Sequence, residues 1–239
     1  MHKTFCVLSA LVIAAPLAAQ TQAGSTAGMN HDATNAVKGS GKLPDGWKLR
    51  YDPQRDGSTP AMDAVNVVTM GSGLHFTSGP AAIYYNAKDM GSGEYQVSAT
   101  FSQRKSVNHE AYGIFIGGKD LQSANQTYTY FVIKPCSSKC GTPGAQMGEV
   151  LISKRSSDGK PVALVPIRHD DAVVTDDPKD GHATNKMLIH VAKDSVHFVL
   201  NDKLVAAVAK SQIGETDGQA GVRINHNIDV HVAWDGVKK

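Results

Sequence analysis

Between Asn185 and Trp234 the apolar positions recur every second residue, with no three- or four-residue stripe. Met187, Ile189 and Val191 alternate with Leu188, His190 and Ala192; Val196, Phe198 and Leu200 alternate with His197, Val199 and Asn201. Successive side chains of an extended strand point to opposite faces, so this period marks half-buried strands. Asn201-Asp202 separates Val196–Leu200 from Leu204–Val208, and both residue types tolerate the positive φ of a two-residue turn. Gly218 and Gly221 punctuate the chain before Val222–Asn225, and His226-Asn227 reads as a turn into Ile228–Trp234.

The same reading extends upstream. Val65–Met70 and Leu74–Thr77 flank Gly71-Ser72-Gly73 as a hairpin, and Ala81–Asn86 follows Ser78-Gly79-Pro80. Across Glu94–Gln103, Tyr95, Val97, Ala99 and Phe101 face one way and Gln96, Ser98, Thr100 and Ser102 the other. Tyr112–Gly117 and Tyr128–Lys134 are apolar on both faces, as central strands of a sandwich would be. Val150–Arg155 and Val162–Ile167 surround a Ser157–Lys160 turn. Arg50–Asp63 reads as loop, and helix is confined to single turns near Lys119–Ala124 or Ala209–Ile213. Many short strands joined by Gly, Asn and Asp turns predict an all-β fold: a two-sheet antiparallel β-sandwich, or jelly roll. A closed up-and-down barrel is the alternative.

Composition narrows the class. The chain has 239 residues, 41% of them hydrophobic, with 24 Lys and Arg against 22 Asp and Glu. So balanced a charge gives no field suited to nucleic acid or an anionic membrane. Residues 1–19 combine Lys3, an apolar run from Phe5 to Ala15, and the small pair Ala18-Ala19. They read as a secretory signal peptide, too short for a transmembrane helix, and they imply a periplasmic or secreted protein. Residues 20–42 are small, polar and aperiodic, a flexible linker; residues 43–239 form the folded domain. With Cys6 removed, Cys136 and Cys140 remain, and an exported pair favours a disulfide over a redox pair or half a zinc site.

Asp45-Gly46-Trp47, Gly93–Phe101, Tyr112–Gly117, Val196–Val205 and Gly221–Asn225 occur in that order. In these motifs the chain resembles the concanavalin A-like jelly-roll superfamily over about Leu43 to Val237. Within it, the chain is most similar to the laminin-G-like and 3-keto-disaccharide hydrolase-like domains of exported bacterial proteins. The usual Asn-Gly hairpin stands here as Asn201-Asp202. The resemblance implies a two-sheet sandwich and a carbohydrate-linked role; its motifs are strand and turn patterns, which specify fold rather than activity.

Chemistry is sparser. Retaining glycosidases need two carboxylates roughly 5 Å apart. The E-x-D-x-x-E run of sandwich glucanases is absent, and Glu94, Glu110, Glu149 and Glu215 stand alone in sequence. His109-Glu110 before the Tyr112 strand is the acid/base candidate; its ordinary reading is a polar strand entry. Tyr84, Tyr85, Tyr112, Tyr130, Lys134, Arg155, Arg223 and Asn225 are the candidate sugar contacts on a wet face. Lys134, Arg155 and Arg223 interrupt apolar strands, so each must reach water or a partner: on one shared sheet they would form a cationic, Tyr-lined cleft, and otherwise they end strands or lie on a solvated outer face. Trp47 and Trp234 are expected in the core. His190, His197, His226 and His231 read as surface strand histidines, with a metal cluster as the competing reading. Asp170, Asp171, Asp176, Asp177 and Asp180 crowd one loop. Asp176, Asp177 and Asp180 are candidate calcium ligands, as the laminin-G resemblance implies; a solvated acidic loop is the alternative, and no other cofactor is expected. Together these features predict an exported, monomeric, carbohydrate-binding or envelope-associated module that takes a glycan, a small carbohydrate or a cell-envelope partner without catalysis. A glycoside or (3-keto-)disaccharide hydrolase and a structural envelope protein are the alternatives.

Overall fold

A computed structural model describes residues 36–104, 110–136, 148–177 and 179–239. Fourteen strands follow in order: β1 (Trp47–Tyr51), β2 (Val65–Met70), β3 (Gly73–Ser78), β4 (Ala82–Gly91), β5 (Tyr95–Gln103), β6 (Tyr112–Lys119), β7 (Thr127–Lys134), β8 (Glu149–Ser156), β9 (Val162–His169), β10 (Ala183–Val191), β11 (Ser195–Leu200), β12 (Lys203–Ala209), β13 (Gly218–Ile224) and β14 (Asp229–Lys238). One helical turn, α1 (Lys210–Ile213), follows β12 where a single turn was expected; Lys119–Ala124 holds turns, not helix.

The strands pair antiparallel in two seven-stranded sheets. Sheet A runs β1-β4-β13-β6-β7-β8-β9, and sheet B runs β12-β11-β10-β5-β14-β3-β2. The expected β-sandwich is the observed fold, and the barrel is not. Central pairings are non-local: β5 pairs with β14 and β10, and β13 sits between β4 and β6. Loop closure over such separations slows folding relative to helical proteins.

The core lies where the two periodicities meet. Val97, Ala99 and Phe101 of β5 and Met187, Ile189 and Val191 of β10 face inward from sheet B. Ile114 and Ile116 of β6, Phe131 and Ile133 of β7, and Val222 and Ile224 of β13 face them from sheet A. Trp47 and Trp234 pack against this core, as expected, with ring centroids 6.3 Å apart in an edge-to-face pair. The turn expected at Asn201-Asp202 is present, with φ of 49° and 63°. Asn201 suits it for a second reason: its Nδ2 donates to Ala172 O (2.8 Å) and Asn185 Oδ1 (2.9 Å), and its Oδ1 accepts from Lys186 N (2.8 Å).

The structure differs from the sequence reading in two places, and the first positions the site. β1 is a strand inside a stretch read as turn and loop, and it forms the edge of sheet A beside β4. The chain is also engaged before residue 43: Gly39 N donates to Asp63 O (2.7 Å). Among the described residues no helix is long and apolar enough to cross a membrane.

Candidate functional site

Sheet A carries a second apolar cluster on its outward face, away from the main core. Ile83 and Tyr85 of β4, Phe115 of β6, and Tyr128, Tyr130 and Val132 of β7 compose most of it. These are the odd-numbered positions of β4 and β6 and the even-numbered positions of β7, opposite in phase to the inward set. A strand with both faces covered loses the alternation that would reveal its phase. Tyr84 and Tyr112, expected on the wet face, therefore turn out to be core residues. Tyr84 packs edge-to-face on Phe76 (4.9 Å), and Tyr112 stacks on Phe101 (4.9 Å) while Asn185 Nδ2 donates to its hydroxyl (3.3 Å).

The remaining wet-face candidates share the outward face of sheet A. Arg223 on β13 and Arg155 on β8 converge on Asp52, just past β1. Arg223 Nη2 donates to Asp52 Oδ2 (2.6 Å), Arg223 Nη1 to Asp52 Oδ1 (3.1 Å), and Arg155 Nη1 to Asp52 Oδ1 (3.2 Å). Arg223 also donates to the Tyr128 hydroxyl (3.1 Å) and lies over the Tyr130 ring, 5.2 Å from its centroid. Burial alone would push the Asp52 carboxyl up; the guanidiniums of Arg223 and Arg155 outweigh it and hold the group below the usual carboxylate range. Burial opposes the charge of Arg223, yet Asp52 raises that guanidinium above its ordinary value. Asp52 thus occupies, from within the chain, the position between the two arginines.

Lys134 is the last residue of β7 and pairs in register with Glu149 of β8. Alternation places both on the outward face, toward the end where Asn225 follows β13. There Asn225 Nδ2 donates to Glu110 Oε2 (3.4 Å), and His226 Nε2 lies 3.4 Å from Glu110 Oε1. His109 and Cys140 lie outside the described residues; Cys136 is buried.

The open part of this face is a pocket of about 370 Å³ beside Tyr85. It is lined by Tyr85, Gly118, Asp120, Leu121, Gln122, Ser123 and Gln219. Its β6–β7 loop is braced: Arg50 Nη1 donates to Leu121 O (3.2 Å) and Ser123 O (2.5 Å), while Arg50 Nη2 takes Asp158 bidentately (2.7 and 2.9 Å). Gln122 Nε2 donates to the Tyr85 hydroxyl (2.7 Å) and to Leu49 O (3.1 Å). Sequence reading named Tyr85 but missed Asp120, Gln122, Gln219 and Asp52. The first three fall in turns or at strand ends with no motif of their own. Asp52 fell within Arg50–Asp63, the stretch read as loop.

In the acidic loop, Asp177 Oδ1 accepts from Lys179 N (2.7 Å) and Asp180 Oδ1 from His182 N (2.9 Å). Asp180 Oδ2 lies 3.1 Å from His182 Nδ1, and Asp176 is buried. Among the described residues no group of three or more His, Cys, Asp or Glu is arranged to hold a metal ion. His190 and His197 face each other across β10 and β11 (5.6 Å); His226 meets Glu110; His231 lies on sheet B beside His75.

No family model matches the chain, and no curated protein matches it. Solved structures do. Carbohydrate-binding module CBM66 from Bacillus subtilis is similar at 12% identity and TM-score 0.51, over 80% of this chain and 93% of its own. A glycoside hydrolase family 16 endo-glucanase from Bacteroides ovatus is similar at 9% identity and TM-score 0.53, over 80% and 93%. A mixed linkage glucan GH16 protein of the same organism, in complex with product, matches at 9% and 0.53, over 87% and 98%. At such identities likeness reports fold alone. The chain has the concanavalin A-like jelly-roll fold.

Proposed function

We propose that this protein is an exported, non-catalytic carbohydrate-binding module that takes a neutral glycan on the outward face of sheet A. The observation that carries this reading is the braced pocket beside Tyr85. It offers the carboxylate of Asp120 and the side-chain amides of Gln122 and Gln219, beside an apolar wall formed by the largely buried Tyr85 and Leu121. Sugar sites combine an apolar wall with a few fixed polar groups in this way. A loop already held by Arg50 and Asp158 also loses little freedom on binding. The fold neighbours support the reading: they include a carbohydrate-binding module and a family 16 endo-glucanase. Export rests on residues 1–19.

Binding without catalysis fits the state of the acids. Two of the carboxylates on this face, Asp52 and Asp158, are engaged by arginine. The hydrolase reading rests on Glu110 with His226, a carboxylate and an imidazole 3.4 Å apart. Isothermal titration of mixed-linkage glucan oligosaccharides, beside a reducing-end assay, separates the two. Binding that weakens about two- to tenfold in Gln122→Ala, the worth of one ordinary hydrogen bond, with no new reducing ends, is the expected result. New reducing ends lost in Glu110→Gln would establish the hydrolase instead.

A further inference from the structure

The outward face of sheet B holds a larger depression that the sheet A reading does not use. Its floor is one cross-strand row: Thr184 of β10 opposite Ser102 of β5, and Ser102 opposite His231 of β14. Thr184 Oγ1 donates to Ser102 Oγ (3.3 Å), so the hydroxyls form a short ladder. His182 and the β2–β3 turn at Gly71 line it as well, and it encloses about 590 Å³. Arg104, the residue after β5, is exposed and lines the same depression.

Three observations bear on what such a basin takes. First, its polar groups are hydroxyls, an imidazole and a guanidinium, the set that hydrogen-bonds vicinal diols and an anion together. Second, the Nδ1 atoms of His231 and of its neighbour His75 are buried and have no hydrogen-bond partner. Buried polar atoms are rarely left so, and the pair marks the floor of the basin as a place where the chain's own polar contacts are incomplete. Third, the nearest carboxylates approach histidines rather than the guanidinium: Asp229 Oδ1 lies 3.0 Å from His75 Nε2, and Asp180 Oδ2 lies 3.1 Å from His182 Nδ1. Among the described residues no carboxylate pairs with Arg104.

We propose that this basin is a second binding site, separate from the sheet A pocket, for an anionic saccharide. Arg104 takes the carboxylate or sulfate through its planar fork of donors, and Ser102, Thr184 and His231 take ring hydroxyls. A protein with a neutral-glycan site on one face and an acidic-saccharide site on the other could bridge two polymers of an envelope or matrix.

The test is a titration of the full chain with trigalacturonate, with a sulfated disaccharide of comparable size and with a neutral glucan trisaccharide, followed by amide chemical shifts. Shifts at Ser102, Thr184 and His231 are expected with an anionic probe and not with the neutral one; which anionic probe binds distinguishes carboxylate from sulfate. Arg104→Gln should weaken the anionic probe about ten- to a hundredfold, as loss of a charged hydrogen bond does, and Gln122→Ala should leave it unchanged. Arg104 is exposed, so the variant keeps its fold, which a thermal melt confirms. Shifts at these residues that are absent with both anions, or binding indifferent to Arg104→Gln, overturn the proposal. Loss of neutral-glycan binding in Gln122→Ala bears on the sheet A site alone.

Discussion

Removing the Asp52 carboxylate should destabilise the protein more than removing any exposed charge. Arg155 and Arg223 side chains are each 8% exposed and the carboxylate 22%. Asp52→Ala leaves two buried guanidiniums facing each other without a counter-charge. Breaking a buried pair in this way costs about 3–5 kcal/mol. For a domain of this size about 1 kcal/mol moves the melting temperature by ~2–4 °C, so the shift should be about 6–20 °C. Thermal and urea melts read it directly. Adding Arg155→Met should recover part of the loss, because one unpaired charge goes with it; independent sites would instead lose more. The pH arm has a definite sign. A carboxyl held below its ordinary value contributes stability that is complete above about pH 4 and is lost as pH falls through its lowered folded value. The gap between wild type and Asp52→Asn should therefore close on strong acidification. A melting shift under about 2 °C, or a double variant worse than Asp52→Ala alone, would refute the charge argument.

Other expectations follow from the same contacts. His75 is pulled below its ordinary value, first by burial and then by Arg104 and His231, against Asp229. Its neutral form stabilises the fold fully above about pH 6.5, and that contribution fades as pH falls through the lowered value; His75→Gln should flatten this part of a melting-versus-pH curve. Asn201→Ala loses three hydrogen bonds and strains a left-handed residue, costing about 2–4 kcal/mol in a urea melt. Its exposed neighbour Asp202, also at positive φ, should accept glycine with almost no change in the same melt. The disulfide expected between Cys136 and Cys140 should leave residues 20–239 without a thiol reactive to Ellman's reagent under denaturing conditions. Reduction should lower stability by about 2 kcal/mol, the low end for so short a loop.

The fold was legible wherever one strand face is wet. The Glu94–Gln103 and Asn185–Leu200 runs alternate because β5, β10 and β11 each bury one face, and the turn at Asn201-Asp202 follows from residues that tolerate positive φ. The phase of β4 and β6 was not legible. Ile83-Tyr84-Tyr85 and Tyr112–Gly117 are apolar on both sides, and a one-residue error in phase sends Tyr84 and Tyr112 to the wrong face. β1 was missed although Trp47, Leu49 and Tyr51 alternate with Lys48 and Arg50: the run is only five residues long and lies between Asp45-Gly46 and Asp52-Pro53, and it was absorbed into the turn and loop around it. The clustering of Arg155 with Arg223 was readable as charge inside apolar strands. Its partner was not: Asp52 reaches both across more than a hundred residues of sequence.

The most direct test of the central claim is an amide chemical-shift titration with a neutral mixed-linkage glucan oligosaccharide. Saturable shifts gathered on Asp120, Gln122, Gln219 and their neighbours, with the sugar intact afterwards, are the expected result. Shifts confined to other surfaces, or a sugar cleaved during the titration, would contradict it.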